Sequence, residues 1–498
     1  MKMYKDFMYE ITADKLYESL LAYGMFSEKL PPFLTSKQFY EYCQCSGLPF
    51  ADKPSQFVYY ENMRNINIPR PLGIPTPMSY QRLCKCLKDN WRELQEYFNN
   101  MTINQSHKVS RIHIRNLKDK KHIFEMNYSN WRLDPGPEED LLIGNYYMVC
   151  ADISKCFPSI YTHSIPWALV GKSSAKKSRR SGWFNDLDRY IQNTKYGETH
   201  GILIGPHASN LISEIVLSAI DNRLVDKGWK YIRNIDDYTC YVRSEQDARQ
   251  FLIDLQTELR EYDLSLNHKK TKVRELPLDA TEHWVRKINS ISVLTSYGKV
   301  DYKNCRAYLD FAIEISKNEG ENSSVLNYAM QVLKGKELTY NAKKYLQKTA
   351  FHLCLIYPYL IPLLEECVFS FCNTPVMDIE QISNKLYDMC INCRTFEVGS
   401  YALYFAIKYS FTLSGVKYTD IINSKDCVLM LLGSKYFEYV GDKVAHKELK
   451  NHAKQLSKDI DDFNQYWLFV YEVLPMSNLK DDWKPLKKAG VSFIKNKW

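Results

Sequence analysis

Two adjacent aspartates, Asp236 and Asp237, stand between two strand-like runs, and Asp152 precedes the pair by 84 positions. The run before them spans Tyr231 to Ile235 and the run after them Tyr238 to Val242; both are rich in β-branched and aromatic residues. That composition places the pair at the tip of a β-hairpin. Asp152 ends a third such run, Tyr146 to Ala151. If the three strands are neighbours, three carboxylates converge on one spot. Like charges that close repel unless cations neutralise them, and hard oxygen donors suit Mg²⁺. Two such ions held by carboxylates serve in-line nucleotidyl transfer. An isolated Asp-Asp is ordinarily an acidic surface turn, so the surrounding segments decide the matter.

At 498 residues the chain is too long for one compact core, and two to three domains are expected. A hydrophobic share of 45% and a charged share of 25% are those of a soluble globular protein. The net charge of +8 permits a nucleic-acid partner without requiring one. Tyrosine, with 37 copies against 22 phenylalanines, offers stacking surface with a hydroxyl, although many copies will serve as core. Met1 to Asp6 lacks the apolar stretch of a signal peptide. The most apolar segment, 351–371, is broken by Pro358, Pro362, Glu365 and Glu366, which reads as buried helices. A cytoplasmic protein with no membrane partner is expected. Its 14 cysteines then read as free thiols. Cys390 and Cys393 form a lone C-x-x-C, and Cys43/Cys45 and Cys84/Cys86 are wrongly spaced, so the cysteines do not suit structural zinc.

The first 65 residues read as helical, with Leu16, Leu20, Leu21 and Met25 at helical spacing. Prolines 69, 71, 75 and 77 then impose an extended segment. A helix is expected over Tyr80 to Tyr97 and a strand over Val109 to Arg115. Between residues 200 and 275 the order is glycine-rich turn, helix, hairpin, helix, strand. Leu211, Ile212, Ile215, Ala219 and Leu224 stripe the first helix; Phe251, Leu252, Leu255, Leu259 and Tyr262 stripe the second. This is an α+β layer, helices on one face of a small antiparallel sheet. Beyond about residue 290 helical periodicity takes over, which predicts an all-α domain, with a HEAT-like solenoid as one arrangement of its helices. The expected divisions are an N-terminal helical segment at 1–65, 66–150, 151–285 and the helical 286–498.

Four segments occur in order: Asp152 to Tyr161, Gly201 to Asn210, the Ile235-Asp236-Asp237 turn, and Leu264 to Thr271. As a set they resemble motifs A to D of a reverse transcriptase palm, and the resemblance covers roughly residues 60 to 280. It implies a fingers segment at 66–150 and a palm at 151–285. It also implies Asp152, Asp236 and Asp237 as catalytic metal ligands, the Ile153 carbonyl completing a coordination shell, and two Mg²⁺ ions, for which Mn²⁺ could substitute. Asp236 is the direct ligand and Asp237 its support. Phe157 matches the steric gate that selects deoxynucleotides by excluding a 2′-OH; read without the resemblance it is a core aromatic. Gly205 and Pro206 let backbone approach the incoming base. Lys269 or Lys270 could protonate the departing pyrophosphate, although adjacent lysines are as often a solvated face. Arg70 lies in a proline-rich segment similar to the fingers of bacterial reverse transcriptases. Arg111 and Arg115 lie where fingers residues hold triphosphate, a task suited to bidentate arginine. Lys172, Lys176, Lys177, Arg179 and Arg180 form a basic run that could track a nucleic-acid backbone or simply be a solvated loop. Asn234 departs from the family, which has an aromatic or small residue two positions before the first aspartate.

Tyr161 to Ala168, the Gly205-Pro206-His207-Ala208-Ser209-Asn210 form of motif B and the helical C-terminal half, with Gly490 to Phe493 near the end, resemble bacterial defence reverse transcriptases of the abortive-infection, AbiK-like type. That likeness implies an antiphage DNA polymerase using dNTPs, homo-oligomeric, its DNA product attached to a tyrosine of the enzyme itself. Tyr4, Tyr9, Tyr40 and Tyr42 are early candidates, and the sequence does not choose among them. Two alternatives stand beside this reading: an enzyme copying a noncoding RNA, and a non-catalytic RNA-binding scaffold that kept the palm.

Overall fold

Strands β1 (Val58–Met63) and β2 (Pro69–Ile74) pair antiparallel, Val58 opposite Ile74 and Met63 opposite Pro69. Pro69 and Pro71 have no N–H to give a further neighbour, which suits a short two-stranded ribbon. A second small pair, β3 (His113–Ile114) and β4 (Phe124–Glu125), follows. The main sheet contains β5 (Tyr147–Asp152), β6 (Tyr231–Asn234), β7 (Asp237–Val242) and β8 (Lys272–Glu275) in the spatial order β6-β7-β5-β8, every pair antiparallel. Along β7, Tyr238, Cys240 and Val242 turn inward while Thr239 and Tyr241 are only half-buried, the period-2 alternation of a sheet with one covered face. The cover is the helix Glu245–Arg260, which buries Ala248, Phe251, Leu255 and Leu259. Ser244 caps it, its hydroxyl accepting from the Asp247 N–H at 3.1 Å while Asp247 returns a bond to the Ser244 N–H. The computed structural model describes residues 3–46, 50–64, 69–111, 113–114, 116, 121–125, 137–177, 181–278, 283–291, 298–320 and 322–498.

Three local expectations are corrected. The first 65 residues are not helical throughout. After the helices Tyr4–Tyr9, Ala13–Leu21 and Lys37–Ser46 they enter β1, where buried Val58 and Tyr60 alternate with exposed Tyr59 and half-buried Glu61. The single helix expected over 80–97 is two, Pro77–Asp89 and Trp91–Thr102. Asn90 divides them, its side-chain amide donating to the Cys86 carbonyl at 2.8 Å, a competition with helical bonding that asparagine favours. The strand expected from Val109 to Arg115 divides as well. Val109 to Arg111 lies parallel to β6 across one bridge, with the Arg111 N–H donating to the Arg233 carbonyl at 2.7 Å and the Arg233 N–H to the Val109 carbonyl at 2.8 Å. Only His113–Ile114 then pairs with β4.

From Tyr302 to Lys488 every regular element among the described residues is helical, and none is long and apolar enough to cross a membrane. Val376–Cys393 packs on Phe396–Tyr409, which packs on Cys427–Val440. The chain end then returns to its start. The Thr35 N–H donates to the Phe493 carbonyl at 2.9 Å and the Lys495 N–H to the Phe33 carbonyl at 2.8 Å. Phe493 is fully buried against Phe39, Trp467 and Tyr471. Both termini therefore share one aromatic core.

Glu397 fastens the helical region to β1. Its carboxyl accepts from the Asn62 side-chain amide at 2.7 Å and from the Met63 N–H at 2.5 Å. Burial pushes it up to about 7. A raised carboxyl keeps its proton in the folded state where the unfolded chain has lost it. Its stabilisation is therefore complete below the unfolded value near 4.5 and is lost as pH rises through about 7. Denaturant unfolding at pH 5 and pH 8 should show wild type losing roughly 2–3 kcal/mol more than Glu397→Gln over that interval. Equal losses would contradict the account.

Candidate active site

The hairpin and β5 bring the three aspartates together. In the register of β5 against β7, Asp152 faces Asp237, and Asn234 faces Asp237 across the β6–β7 turn. Ile235 and Asp236 are the two loop residues. Ile235 sits at φ 57°, a left-handed conformation uncommon for a β-branched residue, so the turn is strained where the acidic pair stands. The Ile153 N–H donates to the Asp236 carbonyl at 3.1 Å, which joins the turn to the end of β5. Asp152 is buried at 5% exposure, Asp236 is half-buried and Asp237 lies at the open edge. Desolvation first, and the neighbouring carboxylates next, raise Asp236 and push Asp237 up to about 7. The cluster thus stores electrostatic repulsion that a cation relieves.

The segment Leu264 to Thr271 docks beside it. The Asn267 side-chain amide donates to Asp152 Oδ1 at 3.0 Å and Lys270 Nζ to Oδ2 at 2.8 Å. The Asn267 N–H donates to the Asp152 carbonyl at 2.7 Å. Lys270, rather than the exposed Lys269, therefore reaches the carboxylates. Three hard oxygen donors with a lysine as their present counter-charge are a donor set suited to Mg²⁺.

Beneath the turn, Arg233 is fully buried between Glu214 and Asp221. Its guanidinium donates to Asp221 at 2.6 to 3.1 Å, to Glu214 at 3.1 Å, and to the Ile235 carbonyl at 2.9 Å. Tyr231 adds a hydroxyl bond to Asp221 at 2.8 Å. The strained turn thus hangs from a buried ion cluster. The sequence reading missed Arg233, Glu214, Asp221 and Asn267. The available signal was an arginine on an otherwise apolar strand and two acids seven residues apart on an apolar helix.

A cavity of about 1010 Å³ opens next to the hairpin. Arg70, Leu72, Phe157, Gly205, Pro206 and Ile235 line it, together with Tyr328, Gln331, Tyr359 and Glu366 of the helical region. Phe157 is half-buried and lines the cavity, its carbonyl accepting from the Ile202 N–H at 2.9 Å. The Gly201 N–H donates to the Ile160 carbonyl at 2.8 Å. Gly201 has φ +80°, and a Cβ there would stand 2.7 Å from the Pro158 carbonyl oxygen, so only glycine lets these two segments meet. Arg70 lies close enough to lower the Asp236 carboxyl against its other neighbours.

The remaining expected residues are placed less centrally. Arg111 is buried beside β6 and is not among the residues lining the cavity. Arg115, Arg179 and Arg180 lie outside the described residues. Lys172, Lys176 and Lys177 are exposed on the helix Lys172–Lys177, with Lys172 Nζ 4.4 Å from the Trp167 ring centroid.

Residues 70–293 match the family model of reverse transcriptase, RNA-dependent DNA polymerase. No curated protein matches the sequence. Among solved structures, apo telomerase from Candida tropicalis truncated from its C-terminal domain is similar at 14% identity and a TM-score of 0.32, covering 47% of this chain and 52% of that one. Apo telomerase from the same organism gives 12% identity and a TM-score of 0.32, covering 73% and 68%. Telomerase from Candida albicans with a fragment of telomeric RNA gives 12% and 0.30, covering 84% and 66%. The chain spans about half the length of the truncated telomerase. By the family match alone, the chain carries a reverse transcriptase domain at residues 70–293, with a largely helical region following it.

Proposed function

We propose that the protein is a DNA polymerase of reverse transcriptase type acting in bacterial antiphage defence. The polymerase reading rests above all on the meeting of Asp152, Asp236 and Asp237 at one strained turn. The defence role rests on the likeness of the Gly205–Asn210 loop and the helical C-terminal region to abortive-infection enzymes. Asp152 and Asp236, supported by Asp237 and the Ile153 carbonyl, would hold two Mg²⁺ ions. When bound, these ions lower the pKa of an attacking hydroxyl and neutralise charge on the phosphates. In the reaction a hydroxyl oxygen bonds to the α-phosphorus of a dNTP, the bond to pyrophosphate breaks, and the hydroxyl gives its proton to water. Arg70 would grip the phosphates at the cavity wall. Lys270, exposed along most of its length, would leave Asp152 and give a proton to the departing pyrophosphate.

Phe157 would press on the sugar, where an extra 2′-OH finds no room. Phe157→Ala should lower the preference for dATP over ATP, measured as a ratio of kcat/KM, by at least about tenfold. An unchanged ratio would remove the gate from Phe157.

The attacking hydroxyl belongs to a tyrosine of the protein or to a primer. Tyr9 is exposed, and Tyr40 and Tyr42 are half-buried. None of these lines the cavity, whereas Tyr328 and Tyr359 do. Purified protein incubated with Mg²⁺ and labelled dNTPs, without template or primer, separates the readings on a denaturing gel. Label that migrates with protein until proteolysis supports protein priming, and its loss after RNase pretreatment supports copying of a bound RNA. Absence of label in this reaction, and again when primed RNA and primed DNA are added to it, would overturn the polymerase reading.

A further inference from the structure

Outside the aspartate cluster, Glu28, His122 and His207 converge from three distant parts of the chain. One ligand atom from each lies within 4.8 Å of the other two, and His122 Nε2 is 3.6 Å from Glu28 Oε1. The imidazole centroids of His122 and His207 are 5.3 Å apart. Each ring has a buried Nδ1 with no hydrogen-bond partner. An imidazole carries one N–H and one lone pair, and leaving either unmet in the interior is costly. Two adjacent rings with the same deficit are unusual for simple packing.

The backbone around them is built for close approach. The His207 N–H donates to the Gly24 carbonyl at 2.8 Å. A Cβ on Gly24 would stand 2.7 Å from His207 Cβ, so any other residue would push the ring away. The Ser19 hydroxyl donates to the Lys121 carbonyl at 2.8 Å, which anchors the residue before His122 to the helix Ala13–Leu21. Glu28 is exposed and borders the cavity beside Gly205 and Pro206, so solvent reaches the cluster from that side.

We propose that Glu28, His122 and His207 bind one transition-metal ion of the zinc class. Two imidazoles and a carboxylate are a donor set suited to Zn²⁺, with a position left over for water. A tetrahedral ion with bonds of about 2.0–2.1 Å holds its ligand atoms roughly 3.3 Å apart. The three ligand atoms, within 4.8 Å of one another, would draw in to that spacing by small side-chain movements as the ion binds. The ion would tie the loop after Gly24 and the β4 approach to the first residue of the long helix His207–Asp226. That tie stiffens the cavity wall formed by Gly205 and Pro206.

Zn²⁺ binding by the full chain carrying Asp152→Asn and Asp236→Asn tests this, since the catalytic carboxylates then contribute little. Metal content after desalting should be about one Zn²⁺ per chain. Co²⁺ in its place should give the visible absorption of a four-coordinate site. His122→Ala in that background should lose the retained ion, and Glu28→Gln, at an exposed position that leaves the fold intact, should bind at least about tenfold more weakly. Retention that both substitutions leave unchanged would assign the metal to the free thiols and overturn the proposal. So would a chain that retains no Zn²⁺.

Discussion

Asp236→Ala should abolish Mg²⁺-dependent nucleotide incorporation while leaving the chain folded. A loss of at least ~10³-fold is expected, about 4 kcal/mol of barrier at 1.36 kcal/mol per tenfold. The reason is geometric. Asp236 is the turn residue whose backbone carbonyl binds the Ile153 N–H, and its carboxyl stands beside Asp152 and Asp237. Alanine keeps the backbone bond and deletes one metal ligand. Stability should not fall, because desolvation and Asp152 both oppose the charged form of Asp236; removing the carboxyl relieves that repulsion. Incorporation of labelled dNTP and the thermal unfolding midpoint, measured on the same preparation, check both halves. Polymerisation by the folded variant would remove Asp236 from the metal site.

The second large effect is structural. Arg233→Met should destabilise the protein by roughly 3–5 kcal/mol, the cost of leaving buried charges without their partner. Glu214 and Asp221 are both fully buried on the helix His207–Asp226, and Arg233 is the cation between them. Burial already raises Asp221 against the pull of Arg233. The substitution also deprives the Ile235 carbonyl of its donor, so the hairpin should loosen and incorporation should drop with it. Combining Arg233→Met with Glu214→Gln and Asp221→Asn should recover much of the lost stability, because no unpaired charge then remains buried. Activity should recover less, since the bond to Ile235 is still missing. Denaturant unfolding of the single and triple variants checks the first claim and kcat the second. A single variant as stable as wild type would show that the cluster does not hold the turn.

The parts of this molecule that were legible in its sequence are those where local pattern and chemistry agree. The β-branched and aromatic runs pair as the expected hairpin, but its two-residue turn is Ile235-Asp236 and Asp237 already belongs to β7, one position earlier than the composition suggested. Asp152 lies opposite Asp237 because both end strands of the same sheet. The helical texture after residue 290 likewise held, since amphipathic periodicity needs no distant partner. Elements decided by distant partners were not legible. Val58 to Met63 is a strand only because β2 pairs with it, and Val109 to Arg111 aligns with β6 through Arg233. Arg111 was expected where fingers residues hold triphosphate, yet Arg70 lines the cavity and Arg111 is buried beside β6. Lys269 and Lys270 differ by one position, and the docking of Leu264 to Thr271 alone selects Lys270. Glu28, His122 and His207 have no motif spacing at all, and only the folded chain brings them within 4.8 Å.

The most direct measurement is Mg²⁺-dependent incorporation of labelled dNTP by the wild-type chain beside Asp152→Asn. Primed RNA, primed DNA and no nucleic acid should each be offered. Labelled product in at least one condition, absent with chelator and absent in Asp152→Asn, is the predicted result. Asp152→Asn retaining wild-type incorporation, or wild type adding no nucleotide in any condition, would contradict the assignment of the three aspartates to nucleotidyl transfer.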